Sequence, residues 1–173
     1  MMVLTLVAML LAYQHGSELN LYKQPNSVAF AALPSSQNII NVDIAQSDSR
    51  KEKVRQFLER HGSPMEANAG DIVDAADKYG LDYRLIPAIA MQESNVCKKI
   101  PHESYNCWGF GIYGDQVLKF KNYKEGIYTV TKTLATRYKD RGLITPDEIV
   151  TMYTPSSNGS WEYSVNYFMS ELE

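Results

Sequence analysis

Glu93 is the residue of this sequence best placed for acid–base chemistry. It closes the run Leu-Ile-Pro-Ala-Ile-Ala-Met-Gln-Glu at 85–93, and Ile86 and Ile89 precede it by seven and four residues. In an α-helix these three positions share one side. A carboxyl group on an apolar helix face loses hydration, which raises its pKa, and a carboxyl still protonated near neutral pH could protonate the leaving oxygen of a glycosidic bond. The alternative is an amphipathic helix that ends in a solvated Glu-Ser-Asn.

A segment rich in glycine and aromatic residues follows, with the sequence Asn-Cys-Trp-Gly-Phe-Gly-Ile-Tyr-Gly at 106–114. Glycines at this density suit a tight turn or a small strand pair whose backbone approaches another group closely. Trp108, Phe110 and Tyr113 could stack on sugar rings, and their alternation directs some inward and others toward a cleft. Packing in the core is the alternative for each ring. Asn106 could bond an acetamido group or cap a turn.

The order of these segments resembles the lysozyme-like superfamily. It is similar to the catalytic domains of soluble lytic transglycosylases, goose-type lysozymes and endo-β-N-acetylglucosaminidase-like proteins, in which a helix ending in Glu-Ser precedes a loop and an Asn-x-Trp-Gly-x-Gly-x-Tyr-Gly segment. Phe-Lys-Asn-Tyr-Lys-Glu-Gly-Ile at 120–127 resembles the next helix start of that family. Tyr-Thr-Pro at 153–155 and Gly-Ser-Trp at 159–161 resemble its Tyr-Asn-x-Gly segment and closing helix. The resemblance covers roughly residues 63–173.

The resemblance implies cleavage of the β-1,4 glycan of peptidoglycan by a lytic transglycosylase or a muramidase, with Glu93 as the acid. An endo-β-N-acetylglucosaminidase and a glycan-binding module without turnover are the alternatives. In lytic transglycosylases one Glu acts first as acid and then as base. Glycoside hydrolysis more often uses two carboxyl groups. Glu103 is one candidate for the second, Asp115 is another, and a solvated loop position is the alternative for both.

The resemblance also assigns residues around Glu93. Tyr153 matches the Tyr that hydrogen-bonds near the catalytic Glu, although Thr-Pro at 154–155 replaces the commoner Asn-x-Gly. Ser94 matches the Ser that follows the Glu; the alternative is a hydroxyl bonded to the previous helical turn. The residues that we assign to substrate binding are Ser94, Asn106, Trp108, Gly109, Phe110 and Tyr113.

Composition and charge limit the classes of partner. The chain has 173 residues, 45% of them hydrophobic and 21% charged, which fits one globular domain with a tail. The formal net charge is −3 and no basic stripe occurs, so we expect no nucleic-acid partner. Because peptidoglycan is often anionic, an acidic chain would have to bind it through local contacts. We expect no cofactor and no metal, since two cysteines with only His102 between them do not form a zinc pattern.

The chain divides into three parts. Residues 1–12 are apolar and uncharged, but shorter than the ~17–25 residues that span a bilayer. They resemble the apolar region of a signal peptide, without a preceding Lys or Arg, and we expect an export segment or a weak membrane anchor; an ordinary buried element is the alternative. We expect residues 13–48 to be a linker, and the resemblance implies that residues 49–173 form a lysozyme-like catalytic domain. The protein is then exported: secreted, periplasmic or anchored to a membrane facing the cell wall.

The expected fold is mostly α, of the α+β lysozyme-like kind, with a small β or irregular element around the glycine-rich segment. Gly80 should end one helix, and Asn122 with Glu125 should cap another. Thr-Pro-Asp-Glu at 145–148 is a strong helix start, and Ser160 should cap the last helix. In an exported protein Cys97 and Cys107 should form a disulfide across the loop between Glu93 and the glycine-rich segment; two free thiols are the alternative.

Overall fold

The computed structural model of the chain describes residues 49–111 and 116–173. The expected export segment at 1–12, the linker at 13–48, and the candidates Tyr113 and Asp115 lie outside these residues. Within them the protein is mostly helical and contains no β-strand, which confirms the mostly-α prediction. No helix in the two ranges combines the length and the apolar character needed to cross a bilayer. The α-helices of this part are α1 (49–60), α2 (Ala69–Tyr79), α3 (Leu85–Ser94), α4 (Tyr123–Thr133), α5 (Pro146–Tyr153) and α6 (Ser160–Ser170).

Local hydrogen bonds start two of the helices where the sequence predicts them. The side chain of Asn122 accepts a hydrogen bond of 2.9 Å from the backbone N–H of Glu125 at the start of α4. At the start of α5 the Glu148 carboxylate accepts one of 2.9 Å from the N–H of Thr145. These bonds satisfy N–H groups that have no partner inside a helix. Gly80, with φ 64°, ends α2 as predicted.

The start of α6 differs from the prediction. Ser160 is the first helical residue, and Gly159 precedes it as the cap, without a side-chain cap bond. The hydroxyl of Ser157 accepts hydrogen bonds of 3.2 Å from the N–H of Gly159 and 3.4 Å from that of Trp161. The capping hydroxyl therefore lies three residues earlier, because a turn at 155–156 and a short irregular stretch precede the helix.

Helix α3 lies at the centre of the described fold. All six residues from Leu85 to Ala90 are buried, and α6 packs against α3. A helix that is apolar on all sides is surrounded by protein. Ile86, Ile89 and Glu93 share one side of α3 as predicted, but this side is not the only apolar one, because the residues on the other sides are buried as well. Glu93 lies in the last turn, where α3 emerges from the core.

Trp108 packs into the core beside α4. Its side chain is fully buried, and an ideal Cβ placed on Gly126 would lie 2.9 Å from the Trp108 ring and 2.9 Å from the Phe120 ring. The carbonyl oxygen of Tyr105 would be 3.1 Å from the same Cβ. The missing side chain at Gly126 therefore lets α4 approach the segment that carries Trp108.

We predict that Gly126→Ala destabilises the protein by about 1–3 kcal/mol, because the added methyl group has no space between two buried rings. Gly70→Ala is the matched control, since its Cβ would meet only the flexible Lys51 side chain at 3.9 Å. The control should be neutral or more stable by up to about 1 kcal/mol. Urea unfolding measures both variants. Equal effects of the two substitutions would contradict the packing described for Gly126.

Candidate active site around Glu93

The carboxyl group of Glu93 is held by α6. The indole Nε1 of Trp161 donates a hydrogen bond of 2.7 Å to Oε1 of Glu93. Trp161 is itself buried, because α6 packs against α3. The packing of the two helices therefore fixes the direction of this carboxyl group. One oxygen is bound to the indole, and the other points toward the glycine-rich segment.

Gly109 of that segment approaches the second oxygen. An ideal Cβ at Gly109 would lie 3.3 Å from Oε2 of Glu93, so a side chain here would press against the carboxyl group. Gly109 has φ 61°, a left-handed conformation that is strained for residues with a side chain. The prediction that the glycine-rich segment lies beside Glu93 is confirmed for Gly109. The described part of the segment, residues 106–111, consists of turns.

The surroundings of the carboxyl group raise the pKa of Glu93. Glu93 counts as exposed when the whole residue is considered, but its carboxyl group lies among protein atoms, and the carboxyl environment decides the pKa. Desolvation by burial is the larger cause and favours the protonated form. The Trp161 hydrogen bond is the smaller cause and lowers the pKa. The predicted direction of the shift and its cause, burial, agree with this environment, but the neighbours of the carboxyl group are Trp161 and Gly109 rather than Ile86 and Ile89.

Tyr153 lies close to Glu93 without bonding to it. Its hydroxyl donates a hydrogen bond of 2.5 Å to the backbone carbonyl of Trp108, and its ring lies 5.1 Å from the Trp161 ring. Burial raises the pKa of Tyr153 well above its usual range, and the negative charge of Glu93 raises it further. Tyr153 therefore remains protonated and holds the backbone just before Gly109.

Two predicted sugar-binding residues have structural partners instead. Trp108 is fully buried, and its Nε1 donates a hydrogen bond of 3.0 Å to the carbonyl of Ile86. The side chain of Asn106 is buried, donates to the carbonyls of Phe110 and Leu118 at 2.7 and 3.0 Å, and accepts from the N–H of Phe110 at 3.1 Å. Neither side chain has surface left for a ligand. The predictions that Trp108 stacks on a sugar ring and that Asn106 bonds an acetamido group are therefore wrong.

Ser94 joins α3 to the loop that follows. Its hydroxyl is buried, lies 3.0 Å from the carbonyl of Ala90 and 2.8 Å from that of Cys107, and accepts from the N–H of Cys97 at 2.9 Å. The Ser94 hydroxyl is therefore bonded to the previous helical turn, which was the alternative to a role in substrate binding. A substrate contact by this hydroxyl would require the loss of these bonds, so Ser94 holds the end of α3 in place.

The backbone after Ser94 is strained. Asn95, Val96 and Cys97 have φ values of 53°, 47° and 73°, three successive left-handed residues without glycine. Such residues cost of order 1–3 kcal/mol each and persist where their surroundings hold them. The Ser94 hydroxyl and the disulfide between Cys97 and Cys107, with Cα atoms 4.6 Å apart, provide that hold. The predicted disulfide is confirmed.

Of the two remaining candidates, Phe110 lines a cavity beside Gly109 and Glu103 does not. Phe110 is half-buried, stacks on Phe120 at 6.4 Å, and lines a cavity of about 230 Å³ together with Gly109 and Tyr153. Glu103 is exposed on the disulfide loop, where the Nδ1 atom of His102 lies 3.8 Å from its carboxylate. It does not line the cavities that contain Glu93 or Gly109. The structure therefore leaves Glu103 apart from Glu93.

A second cavity opens directly at Glu93. Its volume is about 400 Å³, and its lining also includes Gln92, Lys99, Ser164 and Phe168. Glu93 itself lines the cavity of about 400 Å³. The cavity of about 230 Å³ is lined by Gly109, whose backbone lies beside the Glu93 carboxyl group. Among the described residues that line them, Glu93 is the single carboxyl group.

Trp161 is the site residue to which the sequence analysis assigned no role. It bonds to Glu93 across 68 positions, a separation that no local pattern reveals. Its place in the Gly-Ser-Trp segment was the available signal, but that segment indicated only a helix start.

Neither a metal-binding cluster in the described residues nor a match to a known protein helps to assign a function to the site. No group of three His, Cys, Asp or Glu side chains in residues 49–111 and 116–173 is arranged to hold a metal ion. A scan against protein-family models and a search of curated proteins found no match to this chain.

We predict that replacing both cysteines, Cys97→Ser with Cys107→Ser, destabilises the protein by about 3 kcal/mol. The bridge closes a short loop, with a sequence separation of 10, and so restricts the unfolded chain. Urea unfolding of the double variant, and of the wild type with and without reductant, measures the loss. Reductant should have no effect on the variant. A wild type that is equally stable when reduced would contradict the prediction.

We predict that Trp161→Phe raises the pKa of Glu93 further, because the lost hydrogen bond favours the ionised carboxylate. ¹³C NMR titration of the carboxyl carbon measures the pKa, and Glu93→Gln assigns its signal. Since the folded pKa is already above the unfolded value, wild-type stability should fall as the pH rises from the unfolded pKa through the folded one. Glu93→Gln should abolish this part of the pH dependence. A lower Glu93 pKa in Trp161→Phe would refute the assigned role of the bond.

Proposed function

We propose that this protein cleaves the β-1,4 glycan of peptidoglycan and that Glu93 is its proton donor. One observation carries the proposal: a carboxyl group with a raised pKa is fixed by the Trp161 indole beside the Gly109 backbone, and the residue that carries it, Glu93, lines a cavity. A carboxylic acid that keeps its proton near neutral pH can protonate a glycosidic oxygen. The order of the Glu-Ser, Trp-Gly and Tyr-Thr-Pro segments, similar to that of the lysozyme-like superfamily, supports the same reaction.

The proposed reaction needs Glu93 twice. As an acid, Glu93 gives its proton to the glycosidic oxygen while the bond from that oxygen to the anomeric carbon breaks. The resulting carboxylate then accepts a proton from the attacking group. If that group is water, the product has a reducing end, as with a muramidase. If it is a hydroxyl of the same sugar, an anhydro ring closes, as with a lytic transglycosylase.

The absence of a second carboxyl among the described lining residues favours a route with a single carboxyl group. Glycosidases that use two carboxyl groups place them on either side of the bond, about 5–9.5 Å apart. Glu103 is exposed and lines neither cavity, and Glu93, which lines the cavity of about 400 Å³, is the single carboxyl group among their described lining residues. We therefore favour the transglycosylase form of the reaction. An endo-β-N-acetylglucosaminidase would differ in the sugar that carries the new end.

Tyr153 is proposed as a positioning residue in this reaction. Its hydroxyl holds the carbonyl of Trp108, and Trp108 directly precedes Gly109. Loss of that bond would free the backbone that faces Oε2 of Glu93. The proposed role acts through the backbone, which differs from the direct contact near Glu93 that the resemblance implies.

The disulfide supports the proposal that the protein works outside the cytosol. Disulfides persist in oxidising compartments, and Cys97 and Cys107 are both committed to one bridge. Peptidoglycan lies in such a compartment. We accordingly propose an exported, lysozyme-like enzyme that faces the cell wall, with residues 1–12 as its export or anchor segment.

We predict that Glu93→Gln lowers the rate of peptidoglycan cleavage by about 10²–10⁴-fold, because the amide keeps the shape of the side chain but cannot donate an acidic proton. Glu103→Gln is the matched control and should cleave at the wild-type rate. Turbidity loss of purified peptidoglycan measures the rate, and mass spectrometry separates anhydro ends, reducing muramic ends and reducing glucosamine ends.

Three results would change the proposal. Wild-type cleavage by Glu93→Gln would rule out Glu93 as the proton donor. A comparable loss in Glu103→Gln would rule out the single-carboxyl route. Binding of glycan without cleavage by the wild-type protein would show a glycan-binding module instead of an enzyme.

A further inference from the structure

Two cavities on one side of the protein share part of their lining. The cavity of about 230 Å³ begins at Gly109 and Tyr153, and another of about 450 Å³ ends at Tyr79 and Lys132. Thr133 and Arg137 line both. The two cavities therefore adjoin at these residues, and together they are here called the Arg137 groove, which extends from Gly109 and Tyr153 to the α4 residues Tyr128 and Lys132.

Arg137 has no protein partner in the described residues. The other five arginines of the chain each donate a hydrogen bond, to a carboxylate, a backbone carbonyl or a methionine sulfur. Arg137 is exposed and makes no hydrogen bond or ion pair within residues 49–111 and 116–173. Its guanidinium group is therefore free to bind a ligand in the groove.

The backbone changes form where Arg137 lies. The chain passes from α4 into a π-helical turn at Leu134–Tyr138 and then into a 3₁₀ turn at Lys139–Arg141. Single π-turns in α-helices are rare and occur frequently at functional sites, since they change the direction of the side chains that they carry. This turn places Arg137 and Tyr138 together in the lining of the cavity that reaches Gly109.

The described lining of the groove is positive although the chain is acidic. Its described lining contains two cations, Lys132 and Arg137, and no carboxyl group. Lys78 adds a third positive charge at the far end, where its ammonium group lies 5.4 Å from the Tyr79 ring centre and 5.7 Å from that of Tyr128. The formal net charge of the whole chain is −3. A local positive region of this kind attracts an anionic ligand that the rest of the surface repels.

We propose that Arg137 binds a carboxylate carried by the glycan chain, and that the groove thereby selects glycans with acidic substituents over neutral ones. The proposal rests on the proposed function, because it places that carboxylate next to the sugar cleaved at Glu93. A guanidinium group binds a carboxylate through two parallel N–H···O bonds, which gives geometric selectivity as well as affinity. Lys132 and Lys78 add charge further along the groove.

Peptidoglycan offers two sources for this carboxylate. One is the lactyl group of the muramic sugar, which is freed when the stem peptide is removed. The other is the stem peptide itself, which carries side-chain and terminal carboxylates. Both share the same chemistry toward Arg137, so the test has to separate them.

The test measures binding by calorimetry in the Glu93→Gln background, so that no ligand is consumed. The ligands are a disaccharide–tetrapeptide, the same compound with its carboxyl groups amidated, a peptide-free disaccharide with its lactyl carboxylate, and neutral chitotetraose. Arg137→Gln should weaken binding of the disaccharide–tetrapeptide, the peptide-free disaccharide or both by about tenfold. Binding of the amidated compound and of chitotetraose should not change. Arg137→Lys should lose less than Arg137→Gln, because it keeps the charge.

Lys53→Gln is the matched control, because it removes one positive charge from an exposed position that lines none of the cavities. It should leave all four affinities unchanged. Loss of affinity with the peptide-free disaccharide identifies the lactyl carboxylate, and loss confined to the disaccharide–tetrapeptide identifies the stem peptide. The proposal is overturned if Arg137→Gln binds every ligand as tightly as its Glu93→Gln parent does. It is also overturned if the variant loses equal affinity for neutral and acidic ligands, or if the parent binds none of the four ligands.

The two proposals fail in different ways. If the wild type cleaves peptidoglycan while Arg137→Gln binds all ligands normally, only the role of Arg137 is wrong. If Arg137→Gln loses affinity for acidic ligands while Glu93→Gln cleaves at the wild-type rate, only the role of Glu93 is wrong.

Discussion

The buried residue Trp108 joins α3, α4 and α5. Its Nε1 bonds to the carbonyl of Ile86 in α3, its ring fills the space left by Gly126 in α4, and its carbonyl accepts the hydroxyl of Tyr153 from α5. Gly109 is the next residue, so these contacts determine where its backbone meets the Glu93 carboxyl group. A side chain that resembles a sugar platform in the sequence is thus the connection that positions the site.

The site also depends on a strained turn that is held from several directions. Three left-handed residues follow Ser94, and the hydroxyl of Ser94, the disulfide and the buried Val96 keep them in place. Such strain costs free energy, and it is stable because the bonds around it are numerous. The result is a short connection between the end of α3 and Cys107, which brings the glycine-rich segment back to the carboxyl group that closes α3.

Charge is distributed in accordance with a reaction on an anionic polymer. Glu93 lines one of the two cavities and is the single carboxyl group among their described lining residues, and its desolvation favours the protonated, neutral form. The charged residues in the described lining of the Arg137 groove, Lys132 and Arg137, are both cations. The proposed binding of an acidic glycan is compatible with the negative net charge, because attraction is concentrated where the substrate is proposed to lie and the remaining charges are largely screened at physiological salt.

The helix boundaries at Gly80, Asn122 and Thr145 could be predicted from the sequence, because each depends on bonds within three or four residues. The pairing of Cys97 with Cys107 could also be predicted, since the two cysteines flank one short loop. Other features were decided by tertiary packing: the bond from Trp161 to Glu93 spans 68 positions. The alternation of rings and glycines could not show that Trp108 faces the core. That choice depends on which surfaces the distant helices present, and only the folded chain brings those surfaces together.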